Sequence, residues 1–366
     1  MKRPFFTAIF FLALPAGLPL LGVLAAGQSV SRYREFPPLT RYVAHAPFSA
    51  PLFTGLAILG LLVAALFCLQ VSRKNGTAPG RTIPHRYPFP WWARLGLLLL
   101  LAGWWLAWNR FPWFAPWQAH TFLPLWLGYI LVVNGLTRVR SGSSLLTRQP
   151  GFFLALFPLS AVFWWFFEYL NRFVQNWYYV GIEDFSPLAY VLHASLSFAT
   201  VLPAVLSTEE LLATSTRLTE PLASSRAIGC QGGKAPAVIM LLASAAGLAG
   251  IGLWPDYLFP LLWLSPLLII TAGQMLTGRP TVFAGIGRGD WRPVWLPALA
   301  ALCCGFFWEL WNFKSEAHWI YSIPHVQKFH IFEMPVLGYL GYLPFGLECR
   351  VVADLIAEYR QERREG

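Results

Sequence analysis

Long apolar runs separated by short basic or turn-rich segments dominate the chain. Crossing about 30 Å of hydrocarbon takes about 20 helical residues at 1.5 Å rise each. Runs near that length fall at approximately 5–26, 51–71, 91–109, 121–137, 151–171, 187–206, 237–253, 257–276, 293–312 and 333–351. The pattern predicts an all-α, polytopic integral membrane bundle of about 10 transmembrane helices. Pro158, Pro203, Pro266, Pro297 and Pro344 fall inside runs. A bundle tolerates them, because neighbouring helices can satisfy the carbonyls that a proline frees.

Charge orients the bundle. With the N-terminus inside and the spans alternating, only Arg32, Arg34, Arg41, Arg110, Arg172, Lys314 and Lys328 of the 27 Lys and Arg lie outside. The positive-inside rule then places both termini in the cytoplasm, and the compact loops suit a cell (inner) membrane. The first run, behind Met1-Lys2-Arg3, is longer than a signal-peptide core and reads as an uncleaved span. Residues 1–90 form two N-terminal helices and a basic loop. Residues 91–206 and 237–366 form two four-helix units, the second with a basic tail. The Ser-, Thr- and Gly-rich stretch 207–236 reads as a flexible linker between them.

Composition agrees with a lipid-facing surface. Hydrophobic residues make up 56% of the chain and charged residues 12%, against about 25% charged in soluble domains. The net charge of +10 is scattered between apolar runs, which argues against nucleic acid as a partner. The partners expected are the lipid bilayer and a lipid-soluble substrate, and no protein partner is indicated. Cys68, Cys230, Cys303, Cys304 and Cys349 lie in or beside runs without CxxC spacing, so they read as small apolar helix residues.

The two units share a motif. Phe166-Phe167-Glu168-Tyr169-Leu170-Asn171, with Trp177-Tyr178-Tyr179 beyond, matches Phe307-Trp308-Glu309-Leu310-Trp311-Asn312, with Trp319-Ile320-Tyr321 beyond. Upstream, Pro124-Leu125-Trp126-Leu127 resembles Pro260-Leu261-Leu262-Trp263-Leu264. Each motif ends the third span of its unit at the outer edge. Four spans per unit make the repeats parallel, about a pseudo-two-fold axis along the membrane normal.

Glu and Asn at i and i+3 share a helix face, so each unit presents a carboxyl and an amide together. A carboxylate in a span costs on the order of 3 kcal/mol at the bilayer centre, and less near the ends. A cost borne twice in the same pattern points to use. Glu168 and Glu309 are expected to act as an acid/base pair in an aromatic cleft, one holding a proton and the other accepting one. Asn171 and Asn312 are expected to position them. Trp177, Tyr178, Trp319 and Tyr321 would wall the site, with Glu333 at its outer mouth. Aromatic faces can stabilise developing positive charge. Glu209 and Glu210 end the sixth span at its inner edge, where a solvated helix end is expected. Glu348 would lie about 22 Å along a span that starts at 333, near the inner face. His318, His325 and His330 share an outer loop, but their spacing fits no compact metal motif. No metal or cofactor is called for.

On these residues the chain resembles the membrane lycopene cyclase-like family of carotenoid enzymes. The correspondence takes Glu168, Trp177-Tyr178-Tyr179 and Thr208-Glu209-Glu210-Leu211-Leu212 in the first unit. In the second it takes Glu309, Trp319-Ile320-Tyr321 and Pro344-Phe345-Gly346-Leu347-Glu348. Neither Glu stretch has the family's Pro two residues before a Glu pair, and Cys349 follows Glu348. The resemblance implies proton-initiated chemistry on an isoprenoid. A membrane enzyme for an isoprenoid, carotenoid-like or other lipid substrate is the first expectation. A proton-coupled transporter or flippase is the second, and a non-catalytic membrane scaffold the third.

Overall fold

The computed structural model describes residues 2–36, 41–72, 87–229 and 233–365, with 2–13 and 358–365 as backbone only. Cys230 and the basic stretch 73–86 lie outside the described residues. The chain is mostly helical, at 71%. Its helices are α1 (Lys2–Ala25), α2 (Ala50–Val71), α3 (Trp91–Trp108), α4 (Phe122–Ser141), α5 (Leu145–Arg148), α6 (Pro150–Val174) and α7 (Pro187–Phe198). They continue with α8 (Val201–Ala213), α9 (Thr216–Ala223), α10 (Lys234–Gly250), α11 (Pro255–Leu258), α12 (Leu261–Leu276), α13 (Arg292–Asn312) and α14 (Tyr342–Glu365).

Among the described residues six helices are long and apolar enough to cross a membrane: α2, α3, α4, α6, the bent pair α7–α8, and α13. Leu14–Ala25, α10 and α12 are shorter apolar helices. None of the apolar window of α2 is buried within the protein. A helix that is apolar all round and only partly covered by protein suits a hydrocarbon environment.

Small residues set the closest helix contacts. A Cβ on Gly128 would lie 2.7 Å from Leu100 N, joining α4 to α3, and one on Gly22 would lie 1.9 Å from Ala249 O, joining α1 to α10. Such positions let backbones approach without a side chain between them. The bend between α7 and α8, next to Pro203, is stitched by one hydroxyl from α6. Ser160 Oγ donates to Phe198 O (2.6 Å) and accepts from Leu202 N (3.0 Å). Both backbone groups left over by the bend are thereby satisfied.

Three sequence expectations change. First, the stretch 207–236 is no loop throughout, because α8 runs on to Ala213 and α9 follows. Ser207, Thr208 and Glu209 are buried. Glu209 reaches Arg350 of α14 at 3.2 Å, and Arg350 reaches Asp354 at 3.0 Å, so the helix end is pinned rather than solvated. Glu210 pairs with Arg148 at 2.6 Å.

Second, the last helix begins at Tyr342, not near 333. Residues 330–341 instead form the short strands β3 (His330–Ile331) and β4 (Met334–Pro335) and a 3-10 segment, Val336–Gly341. Glu348 therefore lies about 9 Å along α14 rather than about 22 Å. It is buried, and its Oε1 accepts from Leu267 N at 3.0 Å beside Pro266.

Third, the aromatic segments beyond α6 and α13 are strands, Trp177–Val180 (β1) and His318–Tyr321 (β2). They pair antiparallel, with Trp177 opposite Tyr321, Tyr178 opposite Ile320, Tyr179 opposite Trp319 and Val180 opposite His318. Gly181, at φ +71°, ends β1; a Cβ there would lie 2.2 Å from Glu316 O, so only glycine fits this crossing. The pair joins the two halves of the chain at one end of the bundle.

Candidate functional site

Glu168, Asn171, Glu309 and Asn312 are all buried at the strand end of α6 and α13. The two asparagines do the same work in each half. Asn171 Nδ2 donates to Trp177 O (2.8 Å) while its Oδ1 accepts from Asn176 N (2.8 Å). Asn312 Nδ2 donates to Trp319 O (2.7 Å) and its Oδ1 accepts from Trp319 N (2.8 Å). An amide with both a donor and an acceptor can replace a missing backbone neighbour. Each asparagine thus fixes a strand onto the end of its helix and positions the glutamate's partners rather than the glutamate itself.

Three of those partners, Trp177, Tyr179 and Tyr321, come from the strands, and Trp164 and Tyr342 come from helices. Glu168 Oε1 accepts from Tyr179 Oη (2.6 Å), Trp164 Nε1 (3.0 Å) and Trp177 Nε1 (3.1 Å). Glu309 Oε1 accepts from Tyr342 Oη (2.6 Å) and Tyr321 Oη (2.8 Å), and Trp319 Nε1 donates to Tyr321 Oη (2.9 Å). Strand side chains alternate in direction. Trp177 and Tyr179 therefore share one face of the ribbon with Trp319 and Tyr321. Tyr178 points the other way and meets Tyr42 edge-on at 5.9 Å.

The halves differ four residues before the glutamate. In α6 that position is Trp164, whose indole reaches Glu168. In α13 it is Gly305, and the Tyr342 ring fills the space; a Cβ on Gly305 would lie 2.4 Å from that ring. A bulky donor on one helix is matched by a gap on the other that admits a donor from α14.

Oε2 of both Glu168 and Glu309 is buried without a hydrogen-bond partner. An unsatisfied buried polar atom costs about 1–3 kcal/mol, and here the same atom is left bare in both halves. Burial, with the carboxyl behind it, pushes the Tyr179 phenol well above its ordinary value, and burial beside Glu309 does the same to Tyr321. Both remain hydroxyls at neutral pH and keep a proton to share.

Next to the ribbon lies a cavity of about 620 Å³. Trp164, Trp177, Tyr179, Trp319, Tyr321 and Tyr342, the groups that hold the two carboxyls, line it. Glu168 and Glu309 are not on the wall; they stand one layer behind it. Trp263, Trp308 and Phe345 add to the aromatic lining, with Trp263 stacked on Trp177 at 5.7 Å. No Asp, Glu, Lys or Arg contributes to the wall among the described residues.

Of the residues expected to wall the site, Trp177, Trp319 and Tyr321 do so. Tyr178 does not, because it occupies the far face of its strand. Glu333 is half-buried at the β3–β4 turn and is also absent from the wall. Sequence reasoning passed over Trp164, Tyr179 and Tyr342. The spacing of Trp164 to Glu168, i to i+4 on one helix face, was legible; the approach of Tyr342 from a distant helix was not. Among the described residues no three His, Cys, Asp or Glu side chains cluster as a metal site. No family model matches the chain, and neither a curated protein nor a solved structure is significantly similar to it.

Proposed function

We propose that the chain is a polytopic inner-membrane enzyme acting on a lipid-soluble substrate held in the aromatic cavity. On this reading about ten spans cross the bilayer with both termini cytoplasmic, and two parallel four-helix units face each other across the ribbon. The strand register supports the two-fold relation: Trp177 pairs with Tyr321 while its counterpart Trp319 pairs with Tyr179. Exchanging the halves leaves that pattern unchanged.

The observation that carries the proposal is the repeated relay of buried carboxyl, tyrosine hydroxyl and uncharged aromatic wall. With its carboxyl ionised, the tyrosine donates to it and can accept from a group in the cavity; with its carboxyl protonated, the hydrogen bond reverses and the tyrosine's single proton is free to pass to the cavity. One relay protonates the substrate and is refilled from its carboxyl. The other accepts, through its tyrosine, the proton the substrate loses. The substrate gains one proton and loses one, and the proton taken up by the second carboxyl returns to the first between turnovers, so isomerisation or cyclisation of an unsaturated chain fits the site, with tryptophan faces stabilising transient positive charge. The resemblance to lycopene cyclase-like enzymes points to the same isoprenoid class of substrate.

Glu309→Gln keeps an acceptor for Tyr321 and Tyr342 but removes the titrating proton. Its product output should fall about a hundredfold or more, with the thermal midpoint close to wild type. Untargeted mass spectrometry of lipid extracts from an isoprenoid-producing bacterial host, at matched levels of folded protein, measures this. Undiminished product from the variant would refute the assignment. Two units meeting at one polar centre also suit a proton-coupled transporter or flippase; substrate-driven proton flux in proteoliposomes, without a new product, would favour that reading.

A further inference from the structure

We infer that the cavity takes an uncharged, single-chain lipid alcohol, its hydroxyl seated on α7 and its chain directed toward α2. The inference rests on the cavity being the substrate site proposed above, and it adds the ligand's chemical class and its orientation.

Polar atoms are unevenly distributed over the wall. On α7, Tyr190, His193 and Ser197 recur at spacings of three and four residues, so one helix face presents all of them to the cavity. Asn176, just before β1, joins them on the wall. Ser197 is 8% exposed and Asn176 3% exposed, yet Ser197 Oγ and Asn176 Oδ1 have no hydrogen-bond partner. Both belong to residues of the wall and stand apart from the carboxyl relays, so each leaves a buried polar atom that a group from outside the chain can satisfy. A hydroxyl can both donate and accept, so it can donate to Asn176 Oδ1 or meet the Ser197 hydroxyl in either role.

The α2 side of the cavity has the opposite character. Leu56, Leu59 and Val63 from α2 line it with Val294 and Phe283, and none offers a side-chain hydrogen bond. α2 docks through Gly60, where a Cβ would lie 3.1 Å from Leu340. The ligand's hydrocarbon belongs there.

Charge and size narrow the class. With no Lys or Arg on the wall, a carboxylate, phosphate or diphosphate head would be buried without a counter-charge, at a cost of several kcal/mol. A cavity of about 620 Å³ lies in the range of sites that take one compact ligand, roughly 300–1,000 Å³, which suits one chain better than a two-chain phospholipid.

Retention of tritiated oleyl alcohol by the purified full chain in detergent micelles, against empty micelles, tests this. Oleic acid and 1-octadecene serve as competitors that share the chain but change or remove the head. Wild type should retain the alcohol, and both competitors should displace it roughly tenfold less effectively, the loss of one good hydrogen bond or more. Ser197→Ala and Asn176→Ala should each weaken retention of the alcohol roughly tenfold and leave competition by octadecene unchanged. Glu309→Gln should bind like wild type, which separates a failure of the catalytic proposal from a failure of this one. No retention by wild type, equal competition by oleate, or unaltered binding by both α7-side variants would overturn the inference.

Discussion

Gly346→Val should prevent the bundle from assembling, and Gly346→Ala should lower the thermal midpoint more than alanine at any other helical glycine in α2 or α14. A Cβ at 346 would stand 2.0 Å from Pro297 O, 2.6 Å from Pro297 C and 2.9 Å from Ala301 Cβ. The first two are backbone atoms of α13, which no rotamer change can move. Relief requires α14 to separate from α13 along the seam where Tyr342 lies on Gly305 and reaches Glu309. Overpacking of a core typically costs about 1–3 kcal/mol. Alanine, meeting backbone, belongs at the top of that range, and valine beyond it. Scanning fluorimetry in detergent measures the shift. Gly55→Ala in α2 is the control, because a Cβ there meets nothing within 4 Å. It should be neutral, or stabilising by about 0.4–1 kcal/mol through the unfolded chain. Equal midpoints for Gly346→Ala and Gly55→Ala would show that the α13–α14 seam is looser than described.

Asn312→Leu should have the next largest effect. Leucine has similar bulk but offers nothing to Trp319 N–H or Trp319 C=O, both of which Asn312 now satisfies. Two orphaned backbone groups cost about 1–3 kcal/mol each. With β2 released, Tyr321 and Trp319 lose their alignment on Glu309, so product output should fall together with stability. Asn312→Asp keeps the acceptor for Trp319 N–H and loses the donor, so it should fall between leucine and wild type. Faster amide exchange at Trp319 in the leucine variant would localise the damage to the strand. A leucine variant as stable as wild type would mean that the ribbon, and not the amide, holds β2 in place.

The same residues mark how far the sequence could be read. Glu168 with Asn171, and Glu309 with Asn312, stood out because a buried carboxyl and amide at i and i+3 recur in matching aromatic surroundings. Their placement on one face follows from helix geometry alone. The role of the asparagines did not follow. Their partners are the backbone of strands beyond the helix ends, and four-residue aromatic strands carry no periodicity that separates them from a loop. Alternation within those strands then put Tyr179 rather than Tyr178 at the carboxyl, a choice decided by register.

What the sequence by itself determined are properties local to one helix: where apolar runs are long enough to span hydrocarbon, and which face carries the polar pair. What the tertiary structure decided are the properties that need two distant segments. Tyr342 reaches Glu309 only because Gly305 leaves room on another helix, and Glu209 is held by Arg350 from the far half. The cavity exists because side chains from segments distant in the chain meet without filling the space between them. Helix periodicity is set by bonds a few residues apart, and so it is written in the chain. A cavity is set by the distance between packed elements, and no local pattern encodes that distance.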